Sequence, residues 1–533
     1  MCIGSHARVA RDSGEACMGA GVPGVVTAST VDGVVRRSAG RTPDRTALRF
    51  GDREWTYAEL DAGVSRVAAW LLGLGLGKGD RVAAYGYNSD AFLLSFLGCA
   101  RAGLVHVPIN YNLGGGELVY LLEQSGSTVV LTDPKLAGRV EDIRSEIPAR
   151  EVLALRGAPE SVLEVARDPS APDLVPTEVT DTDLVQLLYT SGTTSRPKGA
   201  MMSHRALVHE YLSCVQALDI TGADRPLHAL PLYHSAQMHV FLMPSLAVGA
   251  VNDLVEIPEP GDLLRRIEAD GITSFFAAPT VWVGLTNSAE FAARDLSGLR
   301  KAYYGAAIMP VPVLRRIQER YPGIGFYNCF GQSEIGPLAT VLRPEEHVEG
   351  RMDSCGRPAL FVEARLVDET GADVGVGEPG EVVYRSPQLC DGYWDKPEET
   401  AAAFRDGWFH SGDMARRDAD GYFTIVDRLK DVINTGGVLV ASREVEDALY
   451  LHPSVAEVAV IALPDDTWGE AVTAVAVLKG PATEDELIGF VRERLAGFKV
   501  PKRVHLAEEL PRNASGKLLK RVLRDEFTER IRG

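Results

Sequence analysis

The chain has 533 residues, 45% of them apolar and 24% charged, with a formal net charge of −18. That length exceeds what one hydrophobic core supports, so two or more domains are expected, and the composition is that of an ordinary soluble globular enzyme. The acidic balance argues against general binding to nucleic acid or an anionic membrane, both of which need a basic face, so an anionic substrate would be held by locally placed lysines and arginines.

Residues 1–24 are rich in Gly, Ala and Ser and lack the apolar stretch of a signal peptide, and 1–27 read as a disordered tail. No apolar run reaches membrane-spanning length. Seven cysteines (2, 17, 99, 214, 329, 355 and 390) lie far apart, without CxxC or His/Cys pairing. That is the pattern of reduced thiols in a cytoplasmic protein, with neither a disulfide frame nor a zinc site.

From Arg81 a strand–helix rhythm sets in. Strands are expected at 81–85, 104–108 and 128–132, with helices at 91–101 and 117–124 between them. Such alternation implies βαβ units and mostly parallel sheets with helices on both faces. No GxGxxG follows the first strand, which disfavours dinucleotide binding. The apolar run 184–189 reads as a buried strand, and Ser203 as the N-cap of a helix carrying Leu207, Tyr211, Cys214 and Leu218. A second alternating stretch covers 227–330, with strands at 274–277 and 324–327. Segment 360–430 is punctuated by Gly and Pro, with strand signals at 364–367, 380–385 and 421–426, and reads as a small antiparallel subdomain. Past Lys430 come a helix from Ser442, strands at 458–463 and 473–478, and a capping box at 483–486 before another helix, together a separate α+β domain.

Between the strand 184–189 and the helix lies YTSGTTSRPKG (189–199), a run of hydroxyls and glycines closed by Lys198. It offers backbone N–H groups, hydroxyls and one ammonium to a polyanion such as a nucleotide triphosphate. It is not a Walker A loop, since no second glycine precedes the lysine and no Ser or Thr follows it.

Further segments carry chemistry: PLYHSAQ (231–237), YYGAAIMP (303–310), NCFGQSE (328–334), GYW (392–394), WFHSGD (408–413), DRLKDVINTGG (427–437) and PRNASGK (511–517). In this order, with YTSGTTSRPKG, they closely resemble the ANL superfamily: acyl-CoA synthetases, peptide-synthetase adenylation domains and luciferases. The resemblance runs from about residue 30 to the C-terminus. PINYNL (108–113) and GGVLVASREVE (436–446) look most like the fatty-acyl-CoA and aryl-CoA ligases.

The resemblance implies an α/β fold with a large N-terminal AMP-binding domain (28–429) of doubly wound, mostly parallel sheets plus the antiparallel subdomain. A small mobile α+β domain (430–533) follows, with Lys430 as hinge. It also implies ATP, Mg²⁺ and CoA as reactants and cofactor, with a small-molecule carboxylic acid as substrate. Thr190, Ser191, Gly192, Thr193, Thr194 and Lys198 fall on the β- and γ-phosphates. Gly305, Ala306, Ala307, Asn328, Cys329, Phe330, Gly331, Gln332 and Ser333 fall around AMP, and Asp413 and Arg428 at the ribose or phosphate. Phe330 stands where the family usually has tyrosine and Ser333 where it has threonine; each keeps the required aromatic face or hydroxyl.

Glu334 matches the family's Mg²⁺ ligand, a hard oxygen donor for a hard cation; taken alone it reads as a solvated charge. Lys517 matches the lysine placed between the carboxylate and the α-phosphate. His234 matches an aromatic gate between the acid pocket and the thiol tunnel, a satisfied core histidine being the plainer alternative. Gly436 and Gly437 could lie against pantetheine, because lacking Cβ lets a narrow chain pass. Two departures stand out: Ser195 replaces a usual glycine, and Asn434 a lysine common in relatives.

The acid pocket is expected near His234, Gln237, Trp282, Gly305, Ala306, Ala307, Gly331, Ile335 and Leu338. It holds no lysine or arginine, which disfavours dicarboxylates, and its small residues suggest room for a bulky apolar acid. Fatty, aryl and terpenoid acids all remain open. The leading expectation is an acid–thiol ligase, monomeric or homodimeric, that forms acyl-AMP and then acyl-CoA. The chain ends 16 residues after Lys517, so no fused carrier is expected, which favours free CoA. Alternatives are an adenylation enzyme serving a separate carrier protein or partner ligase, and an inactive nucleotide-binding protein.

Overall fold

A computed structural model describes residues 29–171, 178–190, 196–306, 309, 311–436, 438–465, 467–512 and 518–532. The expected tail 1–27 and the positions Ser191, Gly192, Thr193, Thr194, Ser195, Ala307, Gly437 and Lys517 lie outside them. Among the described residues no helix is long and apolar enough to cross a membrane.

The hairpin β1 (Thr46–Phe50) and β2 (Arg53–Thr56) precedes the first alternating unit. That unit comprises β3 (Arg81–Tyr85), β4 (Val105–Ile109), β5 (Val129–Thr132), β6 (Glu151–Ala154), β7 (Leu184–Thr190) and β8 (Lys198–Ser203). They form a sheet of order β6-β5-β3-β4-β7-β8, parallel except for β8. The strands β3, β4 and β5 are almost wholly buried, as expected of parallel strands covered on both faces.

The second unit adds β9 (Pro226–His228), β10 (Asn252–Leu254), β11 (Ser274–Ala277), β12 (Lys301–Gly305), β13 (Gly325–Phe330), β14 (Thr340–Leu342) and β15 (Arg357–Pro358). With β1 and β2 they make a nine-stranded sheet, order β15-β14-β13-β12-β11-β9-β10-β1-β2, with a parallel centre and antiparallel edges.

Strands β16 (Glu363–Val367), β17 (Gly380–Arg385), β18 (Phe404–Arg405), β19 (Trp408–Arg417) and β20 (Phe423–Arg428) form the expected antiparallel sheet. A turn at 429–431 leads to β21 (Ile433–Thr435), β22 (Val438–Val440), β23 (Val455–Asp465), β24 (Gly469–Leu478) and β25 (Arg503–Leu506), a fourth sheet with its own core. The chain is thus α/β: a large N-terminal part built on two alternating sheets and an antiparallel one, and a small C-terminal α+β part.

Two segments differ from the sequence reading. The phosphate-loop candidate does not run straight into a helix, because β8 intervenes, antiparallel to β7, with Thr190 paired to Lys198. The Ser203 hydroxyl then caps the helix His204–Ala217 by accepting from Ala206 N–H, as expected. The segment WFHSGD, which lies between the strands expected at 380–385 and 421–426, itself falls in the ten-residue strand β19. Its buried positions are Phe409, Ser411, Asp413 and Ala415, so two polar residues occupy the inward face and mask the period-two signal.

Candidate active site

The site begins where β7 ends. The Thr190 hydroxyl donates to Glu334 Oε1 at 3.2 Å, and the Tyr393 hydroxyl donates to the same oxygen at 3.1 Å. The Lys198 ammonium lies over the Tyr393 ring, 5.0 Å from its centroid. One aromatic ring therefore touches both the lysine of the loop and the carboxylate of NCFGQSE.

Strand-like pairing places that ring. Segment 391–394 runs along β8: Asp391 N–H donates to Met201 O (2.9 Å), Met201 N–H to Gly392 O (2.9 Å), and Trp394 N–H to Gly199 O (2.8 Å). The Cys390 N–H donates to the Glu334 carbonyl at 2.8 Å, so the Glu334 loop and the GYW segment are tied together. The role of Tyr393 was missed from sequence. Its motif was visible, but its alignment on β8 is tertiary.

Glu334 is only 7% exposed, on a short helical turn Ser333–Ile335. Among the described residues its carboxylate has no ion pair, and both hydrogen bonds to that carboxylate come from hydroxyls on one oxygen. That donor set suits a hard cation, which takes oxygen ligands from a carboxylate, phosphates and water. No group of three or more His, Cys, Asp or Glu that could hold a metal is gathered among the described residues. Any remaining ligands would come from phosphate and water.

The loop is shaped by Gly331. At φ +155°, a Cβ there would sit 1.9 Å from Pro337 O, so only glycine fits. Gln332 Nε2 is buried with no hydrogen-bond partner among the described residues, and Ser333 Oγ meets Ser235 Oγ at 2.8 Å. That contact brings His234, half-buried beside Ser235, to the Glu334 loop. Phe330 closes β13 and packs on the cluster containing Phe409 and Ile335. Asn328 donates to Ser354 O at 2.8 Å, and Cys329 is a buried thiol, its ionisation suppressed by burial. A Cβ on Gly305 would meet Cys329 O at 2.2 Å. The next residue, Ala306, holds φ +63°, an uncommon conformation for alanine and of a kind that clusters at functional sites.

Behind the loop, the sequence reading missed Glu210. It is fully buried, accepting from Leu338 N–H (2.8 Å) and from Gln388 Nε2 (2.5 Å). Gln388 also donates to the carbonyls of Ile335 (3.3 Å) and Leu338 (3.2 Å). Burial pushes the Glu210 carboxyl up to about 8.

Asp413 and Arg428, expected at the ribose or phosphate, face each other on β19 and β20, Arg428 Nε donating to Asp413 Oδ1 at 2.6 Å. Lys430 stands in the turn after β20. Across it, Asp427 Oδ2 accepts from the Ser442 N–H and hydroxyl, both at 2.6 Å. That carboxylate sits at the N-terminal end of the helix Ser442–Tyr450. Gly436 takes φ +61° and donates its N–H to Trp468 O at 2.7 Å, while Asn434 N–H bonds Glu470 (2.7 Å).

Trp282 and Gln237, both expected in the acid pocket, have their polar atoms committed within the protein. Trp282 donates its indole N–H to Tyr303 O (3.1 Å) and packs edge-on to Phe275 and Phe326, in the core on the opposite face of the nine-stranded sheet. The amide of Gln237 is fully buried and committed, accepting from Leu230 N–H (3.1 Å) and bonding His228 Nδ1 (2.8 Å). Ile335 and Leu338 are fully buried beside the loop.

A profile of the AMP-binding enzyme family matches residues 35–394, and one of its C-terminal domain matches 444–517. The chain is 40% identical to feruloyl-CoA synthase of Amycolatopsis sp over 92% of this chain and 98% of that one. It is 34% identical to the medium/long-chain-fatty-acid–CoA ligase FadD8 of Mycobacterium tuberculosis, over 92% and 88%. Its structure resembles that of the anthranilate CoA ligase AuaEII in complex with anthranoyl-AMP (TM-score 0.87, 27% identity, covering 95% of this chain and 98% of that one).

Proposed function

The chain belongs to the AMP-binding enzyme family, and we propose that it activates an apolar carboxylic acid with ATP to acyl-AMP, then passes the acyl group to CoA. A carboxylate is a poor acyl donor because oxide would have to leave. Its oxygen therefore attacks the α-phosphorus of ATP and pyrophosphate departs. The CoA thiol, losing its proton, then attacks the acyl carbon, and AMP departs. Both steps are governed by positioning and charge neutralisation.

In this reading Thr190, Lys198 and the loop between them receive the β- and γ-phosphates. Glu334 holds Mg²⁺, which would neutralise phosphate charge. Phe330 and Gly331–Ser333 cradle the adenine side, and Asp413 accepts from the ribose hydroxyls while Arg428 fixes its carboxylate. Lys517 meets the carboxylate and α-phosphate, and His234 gates the way from acid to thiol. Lys430 is the pivot on which the C-terminal part turns, bringing Gly436 and Gly437 to the pantetheine. We place the enzyme in the cytoplasm.

The observation that carries the reading is the contact chain in which Thr190 and Tyr393 both donate to Glu334 while Lys198 lies over the Tyr393 ring. The two ends of the candidate phosphate loop and a carboxylate suited to a hard cation come together there, the arrangement a metal-bound triphosphate needs. The test is pyrophosphate release over an acid panel with and without CoA, with acyl-AMP and acyl-CoA identified by mass. Release dependent on acid but indifferent to CoA, with no thioester, would leave only the first half-reaction standing.

A further inference from the structure

The carboxyl of Glu210 is fully buried on the helix His204–Ala217, and among the described residues no cation pairs with it. Burying such a group costs stability unless its polar atoms are met. Three donors meet this one: Leu338 N–H at 2.8 Å, Gln388 Nε2 at 2.5 Å and the Cys214 thiol at 3.3 Å. The thiol stands one turn along the same helix. The other two belong to the segments that carry the candidate site.

Gln388 stands at the middle of the arrangement. Its amide oxygen accepts from the Ser213 hydroxyl at 2.6 Å, and its nitrogen, besides meeting Glu210, reaches the carbonyls of Ile335 (3.3 Å) and Leu338 (3.2 Å). An amide nitrogen carries two hydrogens, so one serves the carboxyl and the other is shared by the two carbonyls. Turning the amide over would set its oxygen against both carbonyls. The packing is equally close: a Cβ on Gly336, at φ +87°, would sit 3.1 Å from Gln388 O and 3.2 Å from Glu210 Cβ. Helix, segment 388–394 and loop 330–338 are therefore pinned at one buried point.

That point bears on Glu334 from two sides. Gln388 holds the carbonyl of the next residue, Ile335. Two residues past Gln388, the Cys390 N–H donates to the Glu334 carbonyl (2.8 Å), and three further on the Tyr393 hydroxyl donates to the Glu334 carboxylate (3.1 Å). The loop backbone and the hydroxyl that orients the carboxylate are thus both placed through Gln388, which Glu210 and Ser213 hold from behind.

We propose that Glu210 is a positioning residue for the Glu334 carboxylate, acting through Gln388 to fix the Glu334 loop and the Tyr393 segment in one mutual register. The proposal rests on the acid-activating reading above, in which Glu334 holds Mg²⁺. Partners behind a metal ligand orient it, and losing one costs about 10–100-fold in metal affinity or activity. The residue type matters here. Two carboxyl oxygens accept from both Leu338 N–H and Gln388 Nε2, whereas a glutamine has one oxygen and turns its NH₂ against one of those donors.

The test measures half-saturating Mg²⁺ for acid-dependent pyrophosphate release, and calorimetric binding of a non-hydrolysable ATP analogue with and without Mg²⁺. The variants are Glu210→Ala, Glu210→Gln, Gln388→Leu and the milder Ser213→Ala, with wild type and Glu334→Gln as references. Glu210→Ala and Gln388→Leu should each raise half-saturating Mg²⁺ about tenfold, in both assays, with metal-free analogue binding unchanged. Glu210→Gln should fall between Glu210→Ala and wild type. If the Glu210→Ala and Gln388→Leu variants melt early, Ser213→Ala, which removes only the hydroxyl on the Gln388 oxygen, should still show a smaller rise in the same direction. An unchanged Mg²⁺ requirement in the folded variants, or metal-free binding weakened as much as metal-dependent binding, overturns the proposal; if Glu334→Gln alone shifts the requirement, the site reading stands without it. No acid-dependent pyrophosphate from wild type, or a requirement indifferent to Glu334→Gln, defeats the reading of the site itself, and the positioning role with it.

Discussion

Replacing Tyr393 by phenylalanine removes one hydroxyl from the candidate site and leaves the ring. In the structure that hydroxyl donates to Glu334 Oε1 at 3.1 Å, beside the Thr190 hydroxyl at 3.2 Å. Hydrogen bonds to charged groups contribute about 1.5–3 kcal/mol. At 3.1 Å this one is long for a hydroxyl on a carboxylate, where about 2.5–2.7 Å is usual, so the lower bound applies. A loss of ~1.5 kcal/mol corresponds to about a tenfold weakening of whatever depends on the carboxylate's placement. The expected dependent is metal, because two donors on Oε1 hold the group in one orientation. The Lys198 contact, 5.0 Å over the same ring, survives the change. Titration calorimetry with a non-hydrolysable ATP analogue should show half-saturating Mg²⁺ rising about tenfold, with metal-free nucleotide binding essentially unchanged. Glu334→Gln should cost more, and the double variant little beyond Glu334→Gln alone, since neighbours on one network are not additive. A folded Tyr393→Phe with an unaltered Mg²⁺ requirement refutes the positioning argument. An unaltered requirement in Glu334→Gln removes Glu334 as the ligand.

Lys430→Pro should keep acyl-AMP formation and lower CoA-thioester output about tenfold or more, because proline fixes φ near −65° and closes one hinge conformation; normal thioester output would show that the pivot lies elsewhere. Lys517→Ala should lose pyrophosphate release far more than thioester formation from supplied acyl-AMP, and equal losses would contradict a role confined to the first step. Burial raises the Glu210 carboxyl from 4.5 to about 8. Its contribution to stability is therefore complete below pH about 4.5 and declines as pH rises through about 8. Glu210→Gln should remove that decline, so its melting temperature relative to wild type should climb between pH 5 and 8; a constant difference counts against a protonated Glu210. Burial lowers His106 and His239 to about 3, so wild-type stability should fall as pH drops below about 6.5, where only the unfolded chain takes up those protons. Melting curves down to pH 5 check this.

Local chemistry was legible without the fold. The Ser203 cap and the Thr483–Glu486 capping box form as expected, because capping needs only residues three apart. The strands β3, β4, β5, β11 and β17 appear within a residue or so of their expected bounds, since apolar runs bounded by turns announce themselves. The motifs likewise announced a nucleotide, an acid and a two-part architecture, because their residue types suit phosphate and metal wherever they stand. Facing and register were not legible. Trp282 looked like pocket lining, yet β11 sends Phe275 and Phe276 to opposite faces, and Trp282 follows Phe275 into the core. Tyr393 stood in a recognised motif without a role until pairing with β8 laid it against Glu334, 59 residues away in sequence. A tier of buried aromatic rings joins residues 241, 276, 303 and 327, and only the parallel registers of β11, β12 and β13 align the last three. A one-residue slip in any strand would turn its ring to the other side of the sheet. Residue types thus determined which chemistry this chain can hold, while strand register, set by packing over the whole sheet, decided which side chains meet.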